Sequence, residues 1–366
     1  MIDSPTANED AHMDSETEPQ GVAASAQSAS AGAGARLARR MIDSPEIGII
    51  IALIIAFVVF SLKNPLFASV SDLQSPLGID LAGFGILAIG ESFAIITGGI
   101  DLSVGSLVAF FCVFSAWLNV TAHIPVVFTF ILTIAFGGLW GLWHGLLITR
   151  LGVAPFVVTL VTFIFAAGAD EAIAPNPISI SSGTFLAVAS SKVFGVPIAV
   201  IIFVVIGITA WVFLERTYMG RQLYAVGGNR EAARLSGIRI DRRVVLAYVV
   251  SGACAAVVGL LEASRLTSGT ADSVSGWELI AIASCVIGGV SLVGGQGRVI
   301  GVVAGAALLV VLRDGLVAVN VNAYYQSMVV GLVLLIAIVI DRLRVRRLES
   351  SARRAIRPDR ESGHVS

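Results

Sequence analysis

The chain is built from long apolar runs that follow one another with short polar segments between them. A transmembrane α-helix needs about 20 consecutive apolar residues. Only 13% of the residues are charged, about half of what a water-soluble domain carries. We therefore predict an all-α polytopic membrane protein of about ten transmembrane helices, some of them broken or re-entrant. The spans are placed near residues 47–62, 77–97, 103–119, 124–148, 153–170, 196–214, 243–264, 277–293, 299–317 and 323–340.

The distribution of arginine and lysine tests this count. Basic residues concentrate before the first run, after the fourth, between the sixth and seventh, after the eighth and after the tenth. The opposite set of connections holds only Lys63, Lys192 and Arg265. Because cytoplasmic loops are enriched in arginine and lysine, ten spans with both termini in the cytoplasm fit this pattern.

Three regions follow from the same reading. Residues 1–46 are acidic at first and then rich in alanine, serine and glycine, which predicts a disordered cytoplasmic tail. Residues 47–341 form the transmembrane domain, with a large cytoplasmic loop at 217–243. Residues 342–366 are predicted to be a basic cytoplasmic tail.

A first glycine-rich segment interrupts the apolar pattern at Thr97, Gly98 and Gly99 and continues through Asp101 and Ser103. Adjacent glycines favour a break in the helix, and non-helical backbone at membrane depth occurs only where protein or a water-filled cavity covers it. Asp101 or Ser103 can cap the next helix. A structural cap and a place on a translocation pathway are both compatible with this pattern.

Glu91 lies ten residues before Asp101 in the preceding span. A carboxylate inside the bilayer is costly and often functional, so Glu91 is the second acidic candidate for the pathway.

A second segment, at Gly288, Gly289 and Ser291, resembles the first in its order of glycine, apolar and hydroxyl residues. Transporters often contain internal repeats. Independent selection of a glycine-rich turn explains so short a match equally well. We include these three residues among the pathway candidates.

The loop at 217–243 contains its own helix signals. Asn229 is a good N-cap, Glu231 suits the first turn, and Gly237 suits the position after the last turn. A helix of two turns is not stable alone in water, so it needs a partner surface. That partner is another part of the chain, another subunit, or lipid head groups that attract the arginines of the loop.

No residue pattern for catalysis or metal binding is present. The sequence lacks a phosphate-binding Gly-x-x-x-x-Gly-Lys-Ser/Thr motif, a His-Glu-x-x-His motif and a Gly-x-Ser-x-Gly motif. We expect a transport component that is not an enzyme, with no catalytic residue, no metal site and no cofactor in this chain, and no nucleic-acid partner. Any use of ATP then requires another polypeptide.

From about Asn64 to Asp341 the chain resembles the permease subunits of bacterial ribose/xylose/galactose-type ATP-binding-cassette (ABC) importers. The blocks that carry the resemblance are Gly85–Gly90, Thr97–Ser106, Gly227–Ile238, Ile287–Leu292 and Asn322–Gln326. It implies a multi-pass protein of the bacterial cytoplasmic (inner) membrane that takes up a sugar or sugar-like solute.

The resemblance also implies partners. These are cytoplasmic ATPase subunits that bind ATP and Mg²⁺, an extracytoplasmic solute-binding protein, a second permease chain that is identical or a close paralogue, and membrane lipid. The residues implied to couple to the ATPase are Asn229, Glu231, Ala232, Ala233, Ser236 and Gly237.

Two features depart from the family pattern. Residues 167–177 contain Asp170 and Glu171 where the family has an Arg-Gly pair, and Glu91 stands where many relatives have an uncharged residue. The specific solute is therefore not predicted. The alternative is an ion-coupled secondary transporter that uses Asp101 and Glu91.

Overall fold

The computed structural model describes residues 45–69, 76–274 and 276–322 and most residues of 324–339. The N-terminal tail predicted at 1–46 lies outside these ranges except for its last two residues, which belong to the first helix. The C-terminal tail predicted at 342–366 also lies outside them.

The described part of the chain is mainly helical. Its α-helices are α1 Pro45–Lys63, α2 Pro76–Ile96, α3 Val104–Ala116, α4 Val126–Arg150, α5 Pro155–Ile173, α6 Gly183–Ser190, α7 Ile198–Trp211, α8 Tyr218–Gly228, α9 Arg230–Leu235, α10 Ile240–Arg265, α11 Trp277–Ile287 and α12 Val299–Ala318. Helical residues also occur between 324 and 339.

Short elements join these helices. A π-helical turn extends α3 at Trp117–Thr121 and another extends α7 at Val212–Arg216, and 3₁₀ turns occupy Pro65–Ala68 and Ala271–Val274. Strands β1 (Ile178–Ser179) and β4 (Ser268–Gly269) pair antiparallel, with Ile178 opposite Gly269. Strands β2 (Lys192–Val193) and β3 (Val196–Pro197) form a small antiparallel hairpin.

Seven helices in the described residues are long and apolar enough to cross a membrane. They are α2, α3 with its π turn, α4, α5, α7 with its π turn, α10 and α12. The all-α polytopic class is therefore confirmed, whereas ten spans and the side of the termini stay predictions. The eighth predicted span, 277–293, is corrected, because α11 ends at Ile287 and an irregular segment follows.

The core lies around α2, α3 and α10. The apolar side chains of α2 from Phe84 to Ile96 are nearly all buried, and α3 is buried along most of its length. A helix that is apolar on all sides and surrounded by other helices has no face for solvent, which explains its lack of helical amphipathicity.

Helix α4 packs closely against α10 through three glycines spaced four residues apart: Gly137, Gly141 and Gly145. A Cβ atom on any of them would collide with α10, at Gly252, Tyr248 or Val245 respectively. Small residues at this spacing allow two helix backbones to approach each other inside a bilayer.

The opposite faces of α4, α5 and α7 expose large apolar side chains. Examples are Phe128 and Leu139 on α4, Ile164 on α5, and Val205 and Ile208 on α7. Such a surface suits contact with lipid tails rather than water.

Candidate functional site

Helices α2 and α11 are each followed by an irregular segment, and we call them the interrupted helices. Both end with the same backbone motif. At the end of α2, Gly98 has a φ of 79°, its amide donates to the carbonyl of Ile95, and the next amide donates to Ala94. At the end of α11, Gly289 has a φ of 84° and the same two bonds reach Val286 and Cys285. This is the Schellman arrangement, for which glycine is the favoured residue.

The two glycine pairs are not structurally equivalent residue by residue. The left-handed residue is the first glycine of the pair Gly98-Gly99 but the second of the pair Gly288-Gly289. The sequence match between the segments therefore does not superpose the same backbone positions, which weakens the interpretation as an internal repeat.

The predicted loop helix is present as α9. Asn229 accepts a hydrogen bond from the amide of Ala232 at 2.9 Å, as an N-cap does. Gly237 has a φ of 77° and closes the helix with a third Schellman motif. Ala233 is buried, whereas Ala232, Ser236 and Glu231 are exposed, so one face of α9 packs on the protein and the other is open.

Helix α8, which precedes α9, was not predicted. Its last two residues, Gly227 and Gly228, bring the loop against both interrupted helices. The amide of Gly295, which follows α11, donates to the carbonyl of Ile96 at 2.9 Å. A Cβ atom on Gly227 would collide with both of these groups. We call Ile96, Gly98, Gly227, Gly294 and Gly295 the glycine junction.

Two side chains of the loop reinforce this junction. The hydroxyl of Tyr224 on α8 donates to the carbonyl of Gly297 at 3.0 Å. A guanidinium nitrogen of Arg230 lies 3.5 Å from the carbonyl of Thr97. Each break is thus contacted by the loop through both backbone and side chain.

The Tyr224 hydroxyl is held in its neutral, donating form. Burial, together with the negative charge of Glu215, raises the pKa of Tyr224 to about 12, and Arg298 opposes the shift. The bond to Gly297 therefore does not depend on pH near neutrality.

A buried polar cluster surrounds Asp101. Its carboxylate accepts hydrogen bonds from the amide and hydroxyl of Ser103 and, at 2.9 Å, from the hydroxyl of Ser251 on α10. Its own backbone amide donates to Glu91 at 3.0 Å. Asp101, not the Ser103 side chain, therefore supplies the cap at the start of α3.

The cluster has unsatisfied polar atoms. Glu91 Oε2, the hydroxyl of Tyr248 and Nδ1 of His144 are buried and have no hydrogen-bond partner among the residues that the structure describes. The other ring nitrogen of His144 lies 2.8 Å from the hydroxyl of Thr162. A buried polar atom without a partner is costly, so its presence here calls for a structural or functional reason.

A separate cavity lies between the first turns of α3, the C-terminal half of α5 and the start of α11. Its volume is about 170 Å³, and its polar lining includes Ser106 on α3, Asp170 and Glu171 on α5, and Glu278 on α11. Glu278 approaches Gly105 so closely that a Cβ atom there would collide with its carboxylate. Both acidic residues that distinguish segment 167–177 thus line this cavity, Asp170 as a buried residue and Glu171 as an exposed one.

Residues 79–338 match the family described as "Branched-chain amino acid transport system / permease component". The chain belongs to this family of permease components. Its membership in this family of transporter components, together with seven helices long enough to cross a membrane in the described residues, makes it a multi-pass protein of the bacterial inner membrane.

Several relatives align along most of the permease. The ribose import permease protein of Bacillus subtilis (strain 168) is 36% identical over 81% of this chain and 92% of its own length. The galactose/methyl galactoside import permease protein of Escherichia coli (strain K12) is 33% identical over 82% and 95%. The D-allose transport system permease protein of the same strain is 32% identical over 80% and 90%. No solved structure gave a significant match.

The structure divides the predicted pathway residues of the permease into separate groups. Glu91, Asp101 and Ser103 meet in the buried cluster, where each is fully buried. Thr97 and Gly98 lie at the glycine junction instead. Gly99 contacts the Tyr248 hydroxyl.

The predicted pathway residues Gly288, Gly289 and Ser291 lie at the end of α11 and in the turn that follows it. Gly288 packs against Gly301 of α12, Gly289 forms the turn, and Ser291 bonds within its own segment, to Val293 and Gln296. Their place on a pathway stays a prediction.

Sequence reasoning missed Ser251 and Tyr248, the two residues of α10 in the buried cluster. Both lie in an apolar run without any local signal, about 150 residues after Asp101. In the described residues no group of three or more histidines, cysteines or acidic residues is arranged to hold a metal ion.

Proposed function

We propose that this permease is the membrane-spanning subunit of an ATP-driven importer for a sugar or sugar-like solute. The relatives that align along most of the chain are named for ribose, allose and galactose or methyl galactoside. The observation that carries the mechanism is the contact of Gly227 with both Ile96 and Gly295, since it joins an exposed loop to two interrupted helices.

The proposed route of force begins at α9. Cytoplasmic ATPase subunits, which bind the ATP and Mg²⁺, dock on its exposed face through Glu231, Ala232 and Ser236. Asn229 and Gly237 fix the two ends of this helix, and Ala233 anchors it on the protein. Closure of the ATPase pair then pushes α8 and α9 against the glycine junction.

The interrupted helices are suited to respond to such a push. Helices α2 and α3 are separated by irregular backbone at Thr97–Ser103. Helices α11 and α12 are likewise separated by irregular backbone at residues 288–298. A break with glycine at positive φ lets two helical segments change their angle at low cost. Movement at the junction would also open the buried cluster around Asp101 to solute or water.

The outer end of the path is proposed at the 170 Å³ cavity. The carboxylates of Asp170, Glu171 and Glu278 can accept hydrogen bonds from the hydroxyls of a sugar-like solute. An extracytoplasmic solute-binding protein would deliver that solute, and a second permease chain, identical or paralogous, would complete the path. Ten spans with both termini in the cytoplasm are part of the same proposal.

We do not retain the alternative of an ion-coupled secondary transporter. It would use Asp101 and Glu91, but the family and the names of the relatives favour an importer component. The buried position of both residues also leaves them without access in this conformation.

The function is tested by reconstitution into liposomes. The permease together with its ATPase and its solute-binding protein should accumulate the solute only when ATP is supplied. The permease alone should not move ribose, allose or galactose in response to a proton or sodium gradient. Gradient-driven uptake by the chain alone would refute the proposal.

A further inference from the structure

A groove separate from the proposed path lies where the end of α4 meets the start of α10. Its volume is about 370 Å³. Its walls are the apolar side chains of Leu146, Val245, Leu246 and Val249, and its mouth carries Thr149, Arg150, Asp241 and Arg242. One end of the groove is therefore apolar and the other charged.

The charged end has a net positive charge. Arg150 and Arg242 together outnumber Asp241, and all three side chains are exposed. None of them forms a salt bridge within the described part of the chain. The arginines are thus available for an external anion, and the first turn of α10 adds its own positive potential.

The apolar end continues along the exposed face of α4. Leu139, Leu142 and Leu146 lie on one stripe of the helix and are each at least about one third exposed. From Leu139 to Arg150 the helix rises roughly 16 Å, at about 1.5 Å per residue. That distance is close to the hydrocarbon thickness of one leaflet, about 15 Å.

The geometry points to an anionic phospholipid as the occupant of this groove. Its phosphate lies between Arg150 and Arg242, and an acyl chain runs along Leu146, Leu142 and Leu139. A soluble phosphate would use the arginines but leave the apolar walls exposed, and a soluble protein partner would not extend along the helix into the bilayer. Basic pockets between transmembrane helices are typical sites for anionic lipids.

The position of the groove suggests that this lipid stabilises the contact between two helices. It would tie the end of α4 to the start of α10, directly after the α8–α9 loop. The inference concerns the membrane surroundings of the permease and does not depend on which solute it carries.

The test uses the purified full-length permease and native mass spectrometry with phosphatidylglycerol or phosphatidylcholine. The wild-type protein should retain phosphatidylglycerol in preference to phosphatidylcholine. The double variant Arg150→Gln/Arg242→Gln should lose about 25-fold in phosphatidylglycerol affinity, about fivefold for each charge. The control Arg216→Gln/Arg221→Gln removes the same charge outside the groove and should bind as the wild type does.

One further variant and a competition experiment separate loss of the lipid site from a folding defect and from binding of a soluble anion. Asp241→Asn should strengthen phosphatidylglycerol binding, which a folding defect would not do. Equal retention of both lipids by the wild type, or unchanged binding by the double variant, would overturn the inference. Competition by inorganic phosphate as effective as that of phosphatidylglycerol would also overturn it, in favour of a soluble anion.

Discussion

The amide of Gly295 donates a hydrogen bond to the carbonyl of Ile96 at 2.9 Å, and Gly227 lies against both groups. Ile96 ends α2 and Gly295 follows α11, and the two residues are 199 positions apart in the sequence. The hydrogen bond joins them beside the end of α8. A displacement of α8 reaches both breaks at the same point. Backbone groups make this contact, so it requires a residue without a side chain at position 227 and does not depend on which side chains surround it.

Leu235 is predicted to be the apolar anchor for the ATPase. Its side chain is 80% exposed at the end of α9, the helix on which the ATPase is proposed to dock. Leu235→Ser should leave the permease folded and reduce co-purification of the ATPase by about tenfold, as expected for a central interface residue. Met219→Ser, on α8, is the matched control and should not change co-purification. Equal ATPase recovery with both variants would remove this assignment.

Ser251 is predicted to stabilise the buried cluster. Ser251→Ala leaves one oxygen of Asp101 without its partner, and an unsatisfied buried group costs about 1–3 kcal/mol. The thermal midpoint in detergent should fall. Ser115→Ala is an equally buried control whose hydroxyl donates to the carbonyl of Cys112 in its own helix and not to a carboxylate, so it should lower the midpoint less. The opposite order would show that the Asp101 contact is not stabilising.

The α4–α10 contact predicts opposite outcomes for two nearby glycines. Gly141→Ala would place a Cβ atom against the backbone of Tyr248, so we expect a loss of about 1–3 kcal/mol, the cost of overpacking. Gly138→Ala meets only Val249 at an ordinary contact distance and should be tolerated. Denaturation midpoints of the two purified variants test this difference. Similar midpoints would mean that α4 and α10 are not closely packed.

The hydrogen bond from Tyr224 to Gly297 is predicted to stabilise the folded permease by the same amount at every pH near neutrality. Tyr224→Phe removes the bond to Gly297 and should cost about 1 kcal/mol. Because the pKa of Tyr224 is raised to about 12, its contribution is complete below the ordinary tyrosine value of about 10 and declines only as pH rises through 12.

The melting difference between wild type and Tyr224→Phe should therefore be the same at pH 6 and pH 9. Tyr218→Phe, at an exposed position on the same helix, should have no effect at either pH. A difference that disappears by pH 9 would contradict the bond.

Local chemistry made much of the fold predictable. Asn229 and Gly237 define α9 because capping acts over a few residues. Gly98 and Gly99 predict a break for the same reason, and long apolar runs predict membrane helices from length alone.

The rest depends on contacts between distant segments. Nothing near Ser251 indicates that its hydroxyl reaches Asp101, and nothing near Gly227 indicates that it meets Ile96. Helix α8 was missed because Gly220 lies near its start and Gly227 and Gly228 lie at its end, and glycine disfavours helix. The early end of α11 follows from the turn at Gly289, which lies inside an otherwise continuous apolar run.

The proposed transmission through the glycine junction is tested most directly by comparing Gly227→Ala with Gly228→Ala in the reconstituted importer. A Cβ atom at Gly227 collides with Ile96 and Gly295, whereas at Gly228 the nearest atom is 4.0 Å away. ATP hydrolysis and solute uptake are measured together. We predict that Gly227→Ala still binds the ATPase and hydrolyses ATP but loses at least tenfold in uptake, while Gly228→Ala behaves as the wild type. Normal uptake by a folded Gly227→Ala permease would contradict the mechanism.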